Sequence, residues 1–285
     1  MCRKWLIFIY LLLLLSGCSK ESSGEPAAPG GTGGPVVSND RITVMSYNTR
    51  HCAPYYGVSG EETTPSVDGI ANVIKSKMPD VVFLQEIDSC TTRSLGVDQA
   101  KEIARLAKYP YYHFFKIMDY RSGKYGLAML SKKPFKETKT YPFPNQIEGQ
   151  QMTNANSVGT AIINFDGVDI SFVTVHLSTT QSERNLQLAY ALENILKPIK
   201  RPVVLGGDFN ATPSNATISI LDEAGYTRTN TDPTKFTIPS NSPNRELDYI
   251  AYYPEDQFRV VSHTVITGVN ASDHLPIIAV LEIEE

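Results

Sequence analysis

Apolar residues in this chain gather into short unbroken runs, and several of those runs stop on an acid, an amide or an imidazole. Runs of that kind, bounded by Gly, Pro or Asp, read as strands buried on both faces. The clearest occupies residues 201–213 (RPVVLGGDFNATP), an apolar stretch that breaks at a Gly-Gly pair and closes at Pro213. Side chains alternate along an extended backbone, so Asp208 and Asn210 are expected on one side of it, a carboxylate and a carboxamide able to orient a water. An Asx turn after the strand is the plain alternative.

The same pattern predicts strands at residues 41–48, 80–86, 111–117, 126–131, 158–165, 168–176, 245–253 and 277–283, with Asp166-Gly167 as a hairpin turn. Helical spacing covers 66–78, stopped by Pro79, then part of 91–106, then 183–196 and about 216–224. The link between the strands at 111–117 and 126–131, with Tyr120, Arg121, Lys124 and Tyr125, reads as an exposed polar hairpin or as a substrate contact. Asp273 and His274 are neighbours and would face opposite ways on a strand. Both reach one site only from a loop, which Pro276 stiffens.

Composition adds an address. With 285 residues, 41% of them hydrophobic, the chain suits one large domain or two small ones, and no repeat stands out. Arg3 and Lys4 precede an apolar run at 5–15 that is short for a membrane span. It leads into Leu15-Ser16-Gly17-Cys18, which resembles a bacterial lipobox. That resemblance implies cleavage before Cys18, a lipid on its thiol, and a place in the cell envelope at the outer membrane, on its periplasmic or surface face. An ordinary secretory signal is the alternative. Residues 19–38 are dominated by Gly, Pro and Ser and read as a tether. The expected division is a signal at 1–17, a lipidated tether at 18–39 and a catalytic body at 40–285. Loss of Arg3 and Lys4 leaves 24 basic against 30 acidic residues, a balance of −6 that disfavours a broad nucleic-acid surface. Cys52 and Cys90 remain, as a disulfide or as two thiols.

The run ends carry groups suited to phosphate chemistry. Asn48 offers an amide to a phosphate or a metal-bound water, or caps a turn. Arg50 has the fork that matches phosphate, or is a solvated loop residue. Glu86 is either a carboxylate at a strand mouth or a costly buried charge, and a hard divalent cation would relieve that cost. His176 closes a strand where a satisfied core imidazole is the plain reading. Asp248 stands at another strand mouth.

At these residues the chain resembles the endonuclease/exonuclease/phosphatase superfamily, which includes pancreatic deoxyribonuclease, exonuclease III, neutral sphingomyelinases and inositol polyphosphate 5-phosphatases. The matching stretches are Ser46-Tyr47-Asn48, Leu84-Gln85-Glu86, Gly126 through Pro134, Val175-His176-Leu177, Gly207-Asp208-Phe209-Asn210, Leu247-Asp248-Tyr249-Ile250 and Ser272-Asp273-His274-Leu275-Pro276, in the family's order. The resemblance implies a four-layer α/β sandwich of two face-to-face mixed β-sheets flanked by helices. It implies a divalent metal, Mg2+ or in its place Mn2+, and phosphoester hydrolysis by in-line attack of water. Glu86 would bind the metal, with Asp273 and Asn48 in or near its shell. Asp208, steadied by Asn210, would activate water; His274, held by Asp248, and His176 would donate to the phosphate; Asn48 and Arg50 would face the substrate. Either Asp208 or His274 would be the base.

Asn244-Arg245-Glu246-Leu247 stands where the 5-phosphatases carry Trp-Cys-Asp-Arg, which counts against that substrate. A small or lipid-derived phosphodiester is the expected substrate, and an exported nuclease for DNA or RNA is the runner-up. A tethered binding module without chemistry is the reading of another class, although no residue of the set is missing. No protein partner is evident.

Overall fold

The computed structural model describes residues 40–57 and 63–284. The expected signal and tether, 1–39, lie outside the described residues. The strands are β1 (Arg41–Asn48), β2 (Val81–Ser89), β3 (Tyr111–Tyr120), β4 (Gly123–Ser131), β5 (Phe135–Pro142), β6 (Gln146–Ile147), β7 (Gln150–Gln151), β8 (Ser157–Phe165), β9 (Val168–His176), β10 (Val203–Asp208), β11 (Thr227–Arg228), β12 (Asp248–Tyr253), β13 (Phe258–Val265) and β14 (Ile277–Ile283). The α-helices are α1 (Val67–Lys77), α2 (Gln99–Ala107), α3 (Gln181–Ala191) and α4 (Ala216–Glu223).

Two six-stranded sheets form, ordered β13-β14-β1-β2-β4-β3 and β11-β12-β10-β9-β8-β5. Each contains one parallel pair, β1 with β2 and β10 with β9, and antiparallel neighbours elsewhere. Parallel partners end at the same edge, so both sheets collect strand ends there.

Alternation along the strands builds three cores. Ile42, Val44, Phe83, Phe172, Val204 and Ile250 fill the space between the sheets. Met45, Val82 and Leu84 face Ile70 of α1 and Ile103 of α2. Val173, Val175 and Leu205 face Leu188 of α3 and Ile218 of α4. The result is the four-layer α/β sandwich implied above. Helices α1 and α2 begin on polar caps: Ser66 Oγ accepts Gly69 N–H, and Asp98 accepts Lys101 N–H.

Close contact between the sheets depends on Gly206. A Cβ there would lie 2.6 Å from the buried Phe83 ring. Gly206→Ala is therefore expected to cost ~1–3 kcal/mol by overpacking. Denaturant unfolding checks it, and an unchanged midpoint would contradict the close approach.

Several elements differ from the sequence reading. β5 and β13 were not expected; both are sheet edges whose polar and apolar residues alternate half-exposed, so no apolar run marks them. β3 and β4 continue through the supposed polar hairpin and turn only at Arg121 and Ser122, both with positive φ. The predicted helix at 183–196 is α3 followed by a π-helical turn at Leu192–Leu196. Cys52 is buried, Cys90 is exposed, and both thiols are free, so the disulfide reading is set aside.

Candidate active site

Following the inner faces toward the shared edge, the side chains turn from apolar to polar. Phe83 gives way to Gln85 and Phe172 to Thr174, and a buried layer forms in which Gln85 Nε2 donates to Thr174 Oγ1 at 3.2 Å. One step further stand Asn48, His176, Asp208 and Asp248. Register fixes that row, because Asp208 pairs with His176 on one side and with Asp248 on the other.

Glu86 reaches the row by another route. Strict alternation after Gln85 would turn it toward the helix layer. Instead β2 carries a bulge between Leu84 and Ile87, with Glu86 at φ +56°, and the bulge redirects its carboxylate inward. Glu86 therefore lies within the strand and not at its end, and β2 runs on to Ser89.

The buried Asn48 amide joins the two sheets. Its Nδ2 donates to Glu86 Oε1 and to Asp208 Oδ2, each at 3.0 Å, and its Oδ1 accepts Arg50 N–H at 3.1 Å. The chain then turns through Arg50, His51 and Cys52, all at positive φ (48°, 46° and 61°). Such a left-handed run of non-glycine residues stores ~1–2 kcal/mol per residue and keeps Arg50 beside the site. Arg50 Nε lies 3.8 Å from Asp273 Oδ2.

Asn210 is where the extended-chain expectation fails. The strand ends at Asp208 and Asn210 sits at φ +50°, so its side chain does not stand beside the carboxylate. Its backbone N–H donates to Asp208 Oδ1 at 2.7 Å, while its Nδ2 donates to Leu177 O at 2.9 Å. It steadies Asp208 through the main chain.

Asp273 and His274 do occupy a loop before β14. Ser272 Oγ donates to Asn48 O at 2.8 Å, Ser240 N–H to Asp273 O at 2.7 Å, and Leu275 N–H to Thr237 O at 2.6 Å. So fixed, His274 Nδ1 meets Asp248 Oδ2 at 2.8 Å and its Nε2 lies 3.7 Å from Asp208 Oδ2. Burial alone would push the imidazolium down. The surrounding carboxylates, led by Asp248 and Asp208, outweigh it and raise His274 to about 10. His176 Nε2 lies 3.6 Å from the same Asp208 oxygen.

A cleft of about 410 Å³ opens over Glu86 and His176. Its walls include Arg93, Tyr125, Asn154 and Ser178. Glu183 of α3 secures one wall, accepting from Thr153 N (2.9 Å), Thr153 Oγ1 (2.5 Å), Ser178 Oγ (3.0 Å) and Asn154 Nδ2 (3.3 Å). Burial opposes that charge, and the hydrogen bonds prevail, holding the Glu183 carboxyl down at about 2. Arg93, Asn154 and Glu183 were not read as site residues. No single run marks them, since they assemble from three separate loops and helix starts.

The donor set suits a hard cation. Asp208, Asp248 and His274 bring ligand atoms within 4.8 Å of one another. Two of these, Asp248 and His274, are hydrogen-bonded to each other through Asp248 Oδ2, while Asp248 Oδ1 is buried with no hydrogen-bond partner among the described residues. Glu86 has no Lys or Arg within ion-pair distance among the described residues, and it faces the cleft. A carboxylate with no ion-pair partner among the described residues, beside an amide and further acids, fits a divalent ion with oxygen ligands.

Comparison with known proteins agrees with this geometry. Residues 45–274 match the Endonuclease/Exonuclease/phosphatase family. No curated protein sequence matches the chain. Among solved structures, an endonuclease/exonuclease/phosphatase from Beutenbergia cavernae has TM-score 0.71 at 24% identity, over 86% of this chain and 72% of that one. A mannosyl-6-phosphatase from Bacteroides thetaiotaomicron has TM-score 0.67 at 17% identity, over 84% and 99%. The human Nocturnin catalytic domain has TM-score 0.65 at 19% identity, over 87% and 95%. Enzymes of the family are generally dependent on a divalent metal, and the acids assembled here match that requirement. From the shared fold, the ordered carboxylates and imidazoles and the match across most of its length, this chain belongs to the Endonuclease/Exonuclease/phosphatase family and is a phosphoester hydrolase.

Proposed function

We propose that the chain is a phosphodiesterase acting on a small, polar phosphodiester. The observation that carries this is the charge balance of the site. Glu86, Asp208, Asp248 and Asp273 face two imidazoles, and the nearby arginines are already engaged with aspartates, Arg93 with Asp88 and Arg50 with Asp273. Such a site suits a monoanionic diester better than a dianionic monoester. Asn154, Asn156, Ser178, Thr179 and Tyr125 line the cleft together with the apolar Met118, Ala155 and Leu177. The amides and hydroxyls among them suit a hydroxylated or amide-bearing substituent on a small diester.

Glu86, with Asn48 and Asp273 close by, would hold a divalent cation such as Mg2+ or Mn2+. When bound, such an ion would supply Lewis acidity to a phosphoryl oxygen. Asp208, fixed by Asn48 and Asn210, accepts the proton of the attacking water. His274 carries a proton on Nε2 for an oxygen of the phosphate, because Asp248 at Nδ1 and Asp208 nearby sustain the imidazolium. Asn48 excludes misalignment by binding both acids at once. The body is proposed to be carried at the bacterial envelope by a lipid on Cys18, through the tether at 18–39.

Hydrolysis of bis-p-nitrophenyl phosphate and p-nitrophenyl phosphate by the full chain, with Mg2+, Mn2+ or a chelator, tests the reading. Metal-dependent release from the diester, exceeding that from the monoester, is expected. Release from the monoester alone would overturn it.

A further inference from the structure

Asp208 Oδ2 lies between two imidazole Nε2 atoms, at 3.6 Å from His176 and 3.7 Å from His274, but their outer nitrogens have unlike partners. His274 Nδ1 faces the Asp248 carboxylate at 2.8 Å, whereas His176 Nδ1 faces the Tyr125 hydroxyl at 3.4 Å. A carboxylate can only accept, so His274 must carry a proton on Nδ1. A phenol has one proton to give. Among the described residues, His176 Nδ1 is the one acceptor within hydrogen-bond distance of that hydroxyl. On the other side of the ring, Nε2 faces a carboxylate. Both neighbours ask for the same arrangement: proton on Nε2, lone pair on Nδ1.

Tyr125 is itself fixed. The β2–β4 register sets it opposite the buried Asp88. Arg93 donates Nε and Nη2 to Asp88 at 2.7 and 2.9 Å, and its guanidinium lies 5.7 Å from the Tyr125 ring centre and 4.7 Å from that of Tyr120. The bidentate pair holds the guanidinium against both rings, and the rings in turn limit where the hydroxyl can go.

We propose that Tyr125 is a positioning residue: its hydroxyl donates to His176 Nδ1 and fixes the neutral tautomer whose Nε2–H points at Asp208 and at a phosphate bound beside it. The phosphate in this statement rests on the function proposed above; the tautomer does not. The 3.4 Å contact is long, as catalytic hydrogen bonds are before substrate closes them.

Two measurements on the full chain with 15N-labelled histidine, wild type and Tyr125→Phe, test it. Long-range 1H–15N correlation reads the tautomer of His176 without any substrate. Wild type is expected to show the Nε2–H form, and Tyr125→Phe a mixture of both forms, with His274 signals unchanged as a control for folding. Hydrolysis of bis-p-nitrophenyl phosphate by the variant is expected to fall about 10–100-fold in kcat with KM little changed. A wild-type Nδ1–H form, or a tautomer indifferent to the substitution, overturns the proposal. So does an unchanged kcat in a wild type that turns over. If wild type does not hydrolyse the diester, the function reading fails while the tautomer measurement still decides the contact. Should Tyr125→Phe not fold, Arg93→Lys, which removes the bidentate fork, is expected to give the same mixture, and its absence there counts against the proposal.

Discussion

Replacing Asp208 by Asn is expected to lower kcat by about 10³-fold while KM changes little, because the water loses its proton acceptor. The substitution keeps the shape of the side chain but not its two acceptors. Asp208 Oδ1 takes Asn210 N–H and Oδ2 takes Asn48 Nδ2–H, so an amide nitrogen at either position would face a donor. A stability loss of ~1–3 kcal/mol should accompany the kinetic effect. Single-turnover kinetics with saturating diester, alongside circular dichroism to verify folding, separates the two. Retention of more than about a tenth of wild-type kcat would reject Asp208 as the base and move that role to His274.

The second large effect belongs to Asp248→Asn, expected to reduce kcat by about 10²–10³-fold through His274. An amide at 248 no longer demands a proton on Nδ1 and no longer sustains the imidazolium. The pH dependence follows from the sign of the shift. His274 is raised from 6.5 to about 10 in the folded chain, so its contribution to stability is fully present below about pH 6.5. It is lost as pH rises through about 10. In metal-free protein, the stability difference between wild type and Asp248→Asn should therefore shrink from pH 6 to pH 10. Thermal unfolding in chelator measures it. A difference that stays flat or widens over that range would mean that Asp248 does not hold His274 charged.

The main features of this site were legible in the sequence because strand ends are a local signal. Asn48, His176, Asp208 and Asp248 each close or open an apolar run, and register then assembles them without further instruction. Asp273 and His274 were legible for a different reason: adjacent residues cannot share a face on a strand, so a loop was the remaining option. Glu86 was identified as a residue but not as a conformation. Nothing in Leu84-Gln85-Glu86-Ile87 announces a left-handed glutamate, since the bulge arises from pairing with β4. Tyr125 shows the same gap. The recognisable stretch begins at Gly126, one residue later, and the meaning of Tyr125 depends on His176 in the facing sheet. Asn210 was misdirected because extended geometry was carried two residues too far, past the point where the strand stops. Local pattern predicts elements and their ends well; bulges, edge strands and contacts across sheets are set by partners distant in the chain.

The Asn48 amide has a consequence for when the protein becomes active. It ties Glu86, from the first sheet, to Asp208, from the second, and His274 arrives only with the last strand. A chain emerging during synthesis carries each reactive group long before it can use any of them. Until the sheets dock and β14 inserts beside β1, Glu86, Asp208 and His274 remain on separate pieces. The site therefore exists only in the completed fold, since its groups come from both sheets and from the loop before the last strand.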